Sequence, residues 1–162
     1  MKISKDIELI KASGDHKNII ANLMQLYIYD FSEFIDYEFG EDCLYKAYPG
    51  LDDYFNGREN KFSYIIQKDK KPIGFALVKT LHPTNDYFSI AEFFVMKKFR
   101  RSGIGKAVAK KIFDLHKGQW HIHQRENNVP AQKFWINVIH DYTNENFTDL
   151  FEDGRRIQNF RS

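Results

Sequence analysis

The stretch from Phe93 to Asp114, FFVMKKFRRSGIGKAVAKKIFD, constrains this chain more than any other. It starts apolar, turns basic over Lys97, Lys98, Arg100 and Arg101, and passes Gly103 and Gly105. It then takes up helical spacing, with Ile104, Val108, Ile112 and Leu115 on one face and lysines opposite. A strand that turns on glycines into a helix leaves the first helical N–H groups without acceptors and puts the positive end of the helix dipole at the turn. Glycine also lets a ligand approach the backbone closely. Such a junction suits a phosphate. A tight turn with a capping glycine is the bland reading of an isolated Gly-x-Gly, and the basic flanks weigh against it.

Spacing narrows the anion. A triphosphate-binding P-loop needs a glycine five residues before its Gly-Lys pair and a Ser or Thr after it, the hydroxyl serving the magnesium ion. Arg100 stands in the first place and Ala107 in the second, so both requirements fail. A dinucleotide fingerprint needs a third glycine where helix and strand pack closely, and that place holds Val108. It also belongs at the start of alternating βα units, whereas this element comes late. What remains is Arg100-x-x-Gly103-x-Gly105 at a strand-to-helix junction.

Around it, the periodicity divides the chain. DIELIKA alternates as a first strand, and His16–Phe34 carries Ile19, Ile20, Leu23, Met24 and Tyr27 at helical spacing. A second, shorter helix is expected around GLDDYF. KFSYIIQ and PIGFALVKT, separated by KDKK, predict a hairpin, and YFSIAEFFVM predicts a central strand. After the glycine turn and a helix to His116, Gly118 precedes the strand QWHIHQ. NNVPAQKFWINVI opens with a capping Asn and an early Pro, both helix-start signals. The tail predicts a hairpin turning at Asp153-Gly154. The order β-α-α-β-β-β-α-β-α-β-β predicts an α/β (α+β) fold: one domain over 1–162 with a mixed, mostly antiparallel sheet of about seven strands and about four helices.

Composition excludes several classes. With 43% apolar and 28% charged residues, the 162-residue chain is that of an ordinary globular protein. Nucleic-acid binders usually carry a concentrated basic stripe; a net charge of +2 with a local patch of cations near Lys97–Lys111 fits a small anionic ligand better than a long polyanion. The single cysteine, Cys43, rules out an internal disulfide and cysteine-rich metal sites, and its acidic neighbours do not activate a thiol. The N-terminus lacks a signal-like apolar run and no stretch is long enough to span a bilayer. A cytoplasmic protein, monomeric or homodimeric, without metal, membrane or nucleic-acid partner, is the expectation.

The segment from Phe93 to Asp114 resembles the acetyl-CoA-binding motif of the GNAT N-acetyltransferase superfamily, a strand ending in valine followed by Arg/Gln-x-x-Gly-x-Gly/Ala opening a helix. ENNVPAQKFW resembles that family's second signature at Asn128, Ala131, Phe134 and Trp135, and the element order matches its fold. The likeness spans most of the chain and is loosest over residues 35–60. It implies transfer of an acetyl group from acetyl-CoA to a primary amine, on a small molecule or a peptide, within a ternary complex. The main chain at Phe94, Val95 and Met96 would bond the pantetheine arm, one N–H polarising the thioester carbonyl. The backbone at Arg101, Ser102, Gly103, Ile104, Gly105 and Lys106 would cradle the pyrophosphate, with charge from Arg100 and Lys106. Asn128 would touch the pantetheine or order its loop, and Trp135 would pack on the cofactor.

An amine attacks a thioester only when neutral, so a general base is required. Glu92 is the first candidate, an acid alone in the apolar run SIAEFFVM, where burial raises a carboxyl pKa; a solvated or lysine-paired surface acid is the alternative. His123 is the second, sharing a strand face with His121; a structural histidine pair is one alternative, and two ligands of a metal, whose third ligand the sequence does not announce, the other. Relatives often carry a tyrosine at the place of Trp135 to protonate the leaving thiolate. Here Trp135 only packs, the thiolate leaves unaided, or another group serves. Tyr27, Asp30 and Glu33 close the first helix where similar proteins line the acceptor pocket, so they are candidate substrate contacts or a solvated helix end. A non-catalytic acyl-CoA-binding module is the rival reading.

Overall fold

A computed structural model describes residues 1–82 and 85–162 of the chain. Strands β1 (Ile7–Lys11), β2 (Lys61–Lys68), β3 (Lys71–His82), β4 (Asn85–Val95), β5 (Gln119–Arg125), β6 (Thr148–Glu152) and β7 (Arg155–Arg161) form one sheet. Their order is β1-β2-β3-β4-β5-β7-β6, antiparallel throughout except where β4 meets β5. Helix α1 (Lys17–Phe31) covers one face, and α2 (Ile104–Leu115) and α3 (Val129–Thr143) cover the other.

Both tight hairpins use two-residue turns with left-handed backbones, the geometry that matches strand twist. Asp69 and Lys70 (φ 48° and 63°) join β2 to β3, and Asp153 and Gly154 (φ 48° and 70°) join β6 to β7. The expected second helix is absent: GLDDYF forms one 3₁₀ turn, Leu51–Tyr54. Gly40, Pro49, Gly50 and Gly57 divide residues 32–60 into runs too short to nucleate an α-helix, and Leu51 and Tyr54 suffice to bury one turn.

The apolar spacing of each helix sets its buried stripe. In α1, Ile20, Leu23, Met24 and Ile28 pack on Ile65, Phe75 and Leu77. In α2 the stripe is Val108, Ala109, Ile112 and Phe113, while Leu115 stays exposed. These residues meet Trp120, Trp135, Ile139 and Phe160 on the opposite face of the sheet. Two clusters, one on each face, make the core.

Strand β4 is central and irregular. Leu77 faces Glu92 while Val78 faces Ile90, so Ala91 is an extra, bulged residue. Plain alternation would put Ile90 and Glu92 on one face. The bulge sends Ile90 into the α2–α3 cluster and turns Glu92 and Phe94 toward α1. Beyond that point β4 and β5 part: among the described residues they pair only at Tyr87–Gln119 and Phe88–Trp120.

Candidate active site

The parting strands open a cleft of about 1160 Å³. Met96 N–H donates to Ile73 O at 2.9 Å, so Met96 and Phe94 turn their main-chain groups to β3. Phe93 and Val95, out of phase by one residue, turn theirs into the gap. Of the three residues expected to bond an arm laid along this edge, only Val95 therefore presents its backbone there. Phe93 takes the second position, which alternation of N–H direction would have identified. The Val95 carbonyl accepts from Arg100 Nε at 2.6 Å, an acceptor already in use.

The loop after β4 is shaped for an anion. Ser102 Oγ donates to Phe99 O at 2.7 Å, and Arg101 and Gly103 take left-handed backbones (φ 61° and 83°). The first main-chain bond of α2 runs from Ala107 N–H to Gly103 O at 3.0 Å. Among the described residues, the N–H groups from Arg101 to Lys106 have no main-chain acceptor. The two glycines serve different ends. Gly103 relieves the strain of its positive φ, with open space around it, whereas a Cβ on Gly105 would sit 3.2 Å from the Phe134 ring. Gly105 thus lets α2 pack against α3.

Much of the local positive charge is partnered. Asp30 pairs with Lys97 at 2.8 Å and with Arg100, so its carboxylate serves the loop side of the cleft. Burial opposes its ionisation, but the hydrogen bonds from Lys97 and Arg100 outweigh that and hold its pKa below the ordinary range. Lys106 pairs with Asp141 of α3 at 3.0 Å, as does Lys110. Arg101 and Lys133 also line the cleft, and neither enters an ion pair among the described residues. Met96, Ser102 and Ile104 flank the cleft without lining it, so an anion would meet their backbone rather than their side chains.

Glu92 lies on the α1 wall. Tyr27 Oη donates to one carboxylate oxygen at 2.5 Å and Tyr48 Oη to the other at 2.7 Å. Burial raises the Glu92 pKa above the ordinary carboxylate value, and the two hydroxyls only partly offset it. The same burial, with the carboxylate beside them, pushes both tyrosines above their ordinary range, so they remain donors. Tyr48 lies 44 residues from Glu92 in an irregular segment, and no local signal marks it.

His123 sits on β5 on the face opposite Trp120 and Ile122. Among the described residues its buried Nδ1 has no hydrogen-bond partner. Burial first, then the charges of Arg155, His121 and Lys79, pushes its pKa down to about 4, so the ring is neutral at pH 7. His121 instead bonds Asn159 through Nδ1 at 2.9 Å. Asn128 caps α3, its Oδ1 accepting from Ala131 N–H at 3.1 Å. Trp135 is buried, its ring 5.3 Å from Phe93 and 4.9 Å from Phe134. Tyr27, Asp30 and Glu33 all line the cleft, Glu33 with its side chain exposed. No cluster of metal-ligating side chains occurs among the described residues, and no described helix is long and apolar enough to cross a membrane.

A sheet split between its fourth and fifth strands, with an anion-receptive helix start and a buried carboxylate lining one cleft, makes a site for an anionic ligand. The model of the acetyltransferase (GNAT) family matches residues 22–136, and the chain belongs to that family. Solved structures share the fold at low identity. An acetyltransferase from Thermus thermophilus superposes with a TM-score of 0.70 at 11% identity, covering 100% of both chains. The Salmonella typhimurium acetyl transferase that modifies the N-terminal serine of ribosomal protein L7/L12 gives 0.67 at 14%, over 99% of this chain and 96% of that one. The PaiA N-acetyltransferase of Thermoplasma acidophilum, in complex with coenzyme A, gives 0.62 at 12%, over 96% and 99%. No curated protein matches the sequence.

Proposed function

We propose that this protein is an acetyl-CoA-dependent N-acetyltransferase acting on a primary amine by direct transfer in a ternary complex. The observation that carries the proposal is the coincidence, in one cleft, of an open β4 edge, a loop of unpaired N–H groups and a buried carboxylate. The coenzyme A complex of the Thermoplasma neighbour and the N-terminal serine modified by the Salmonella one support a CoA donor and an amine acceptor.

The residues fit the donor. The loop from Arg101 to Lys106 holds its pyrophosphate through main-chain N–H groups, with charge from Arg100, Arg101 and Lys106. The gap-facing backbone of Phe93 and Val95 takes the pantetheine arm as an added strand, with the Val95 N–H polarising the carbonyl. Asn128 holds the start of α3, and Trp135 with Phe93 and Phe134 forms the apolar wall. The donor supplies an activated acyl group; all other assistance comes from this chain.

Glu92 is the general base. Neutralising a lysine-like amine at pH 7 costs about 4–5 kcal/mol, so proton removal is the step that needs help. Each carboxylate oxygen keeps a lone pair beyond its tyrosine bond and can accept from the amine or a bridging water. His123 lines the same cleft, but burial has made it a weak base, whereas burial strengthens Glu92 as one. Isothermal calorimetry with acetyl-CoA and a thiol-release screen over amines test the proposal. Glu92→Gln is expected to cut turnover at least a hundredfold at unchanged acetyl-CoA affinity; an unaltered rate removes Glu92 as the base.

One observation favours the rival reading, a module that binds acyl-CoA without transfer. The wall of Phe93, Phe134 and Trp135 offers the leaving thiolate an indole, a far weaker acid than a phenol, and the phenols that line the cleft, Tyr27 and Tyr37, lie outside that wall. Acetyl-CoA binding without turnover of any amine would establish that reading instead.

A further inference from the structure

On the β5–β7 side of the cleft stand two arginines that enter no ion pair among the described residues. On β5, Trp120 and Ile122 face α2 and α3, so His121, His123 and Arg125 face the other way by alternation. Arg125 stands directly opposite Arg155 of β7. Cross-strand partners lie with Cβ atoms about 4.5–5.5 Å apart, and like charges so placed repel. Among the described residues neither arginine enters an ion pair, whereas Arg58, Arg100 and Arg156 all do. Glu152 stands on the other side of Arg155, on β6, and still forms no ion pair with it. Both arginines, exposed to solvent, are among the residues that line the cleft holding Glu92, and the unpartnered Nδ1 of His123 lies on the same strand face.

We propose that Arg125 and Arg155 form a carboxylate-binding subsite, so that the amine acetylated here also carries a carboxylate, as a free amino acid does. This rests on the acetyltransferase reading and adds to it the class of acceptor. Two opposed guanidinium forks without a carboxylate of their own make a bidentate receptor for one. The spacing agrees. Counting on from Tyr87 opposite Gln119, with Ala91 as the extra residue, puts Glu92 in step with His123 along the two parting strands. Arg125 follows two residues on, roughly 7 Å along the strand. A small zwitterion can place its amine toward Glu92 while the flexible arginine side chains close on its carboxylate. A polyamine would set a second cation against the pair, and its exclusion gives the subsite selectivity as well as affinity.

The test compares free L-amino acids, their carboxamides, and putrescine and spermidine as acceptors in a thiol-release assay. Amino acids are expected to be the better substrates. Arg125→Gln and Arg155→Gln should each raise their KM about ten- to a hundredfold while acetyl-CoA affinity holds, as for loss of one charge-assisted bond. Lys at either position should restore part of the loss. Carboxamides or diamines used as well as amino acids, or a KM untouched in both Gln variants, overturn the proposal. A second readout needs no turnover: the Nε–Hε resonances of both arginines, in the CoA complex, are titrated with the same panel. Shifts with amino acids but not carboxamides support the subsite; their absence overturns it even where acetyl-CoA binds. Calorimetry that finds no acetyl-CoA binding overturns the acetyltransferase reading itself, a distinct result.

Discussion

Tyr27→Phe isolates the electrostatics of the candidate base. The Tyr27 ring packs against Phe31, Phe75 and Phe94 with centroids 5.4–5.9 Å apart, contacts that phenylalanine keeps. The substitution removes one hydroxyl and its 2.5 Å bond to Glu92. A hydrogen bond to a buried charged group contributes about 1.5–3 kcal/mol, which corresponds to about one to two decades in proton affinity. The donor favours the ionised form, so its loss moves the Glu92 titration further toward neutral pH. The sign for stability follows. Glu92 already has a folded pKa above its unfolded one, so its contribution is complete below the ordinary carboxylate range and is lost as pH rises through the folded value. Tyr27→Phe deepens that loss. The variant should fall below the parent by about 1.5–3 kcal/mol at pH 7–8 and by distinctly less near pH 4. Carbon-13 titration of labelled glutamate carboxyls reads the first effect, and urea unfolding at the two pH values reads the second. A Glu92 midpoint that stays put or moves down refutes the claim that Tyr27 donates to the carboxylate.

Other outcomes follow from the same packing and charges. Gly103→Asp places a carboxylate at the anion loop in a strained left-handed backbone, and acetyl-CoA affinity by calorimetry should fall at least a hundredfold. Gly105→Ala brings a methyl to 3.2 Å from Phe134, and a loss of about 1–3 kcal/mol in chemical denaturation is expected as the α2–α3 contact shifts. His116 is buried neutral against the Tyr64 hydroxyl, 2.7 Å from Nε2, and burial pushes its pKa from 6.5 to about 4. Its stabilising contribution is therefore present above pH 6.5 and lost as pH falls toward 4. His116→Gln should flatten the acid limb of the stability curve by up to about 2–3 kcal/mol, seen as urea midpoints between pH 7 and 4.

The chemistry-bearing motif was legible because it depends on local physics. Glycines at 103 and 105, basic flanks and a 3.6-residue rhythm are properties of neighbouring residues, and the loop and α2 follow them almost residue for residue. The hairpins were legible for the same reason. Asp153-Gly154 and Asp69-Lys70 tolerate the left-handed backbone that a two-residue turn requires. What stayed hidden is non-local. Tyr48 reaches Glu92 from a segment whose own pattern predicts little, and Arg125 faces Arg155 only because β7 returns beside β5. Even the nearer error, a helix at GLDDYF, has this origin: the burial of Leu51 and Tyr54 stabilises one turn without a continuing helix.

The bulge at Ala91 is the part of the site that periodicity could least foresee and on which most depends. A regular β4 would keep Glu92 in phase with Ile90, under α2 and α3 and away from Tyr27 and Tyr48. One inserted residue reverses that phase and leaves Phe93 and Val95 with backbone groups directed into the gap. The carboxylate and the open main-chain edge thus share a single cause, an irregularity in the most apolar strand. In sequence, AEFFV reads equally well as a regular strand, and only pairing with β3 distinguishes the two. The catalytic reading consequently stands on register rather than composition. A straight β4 with Glu92 beneath α2 would dismantle the base, its tyrosine partners and the donor edge together.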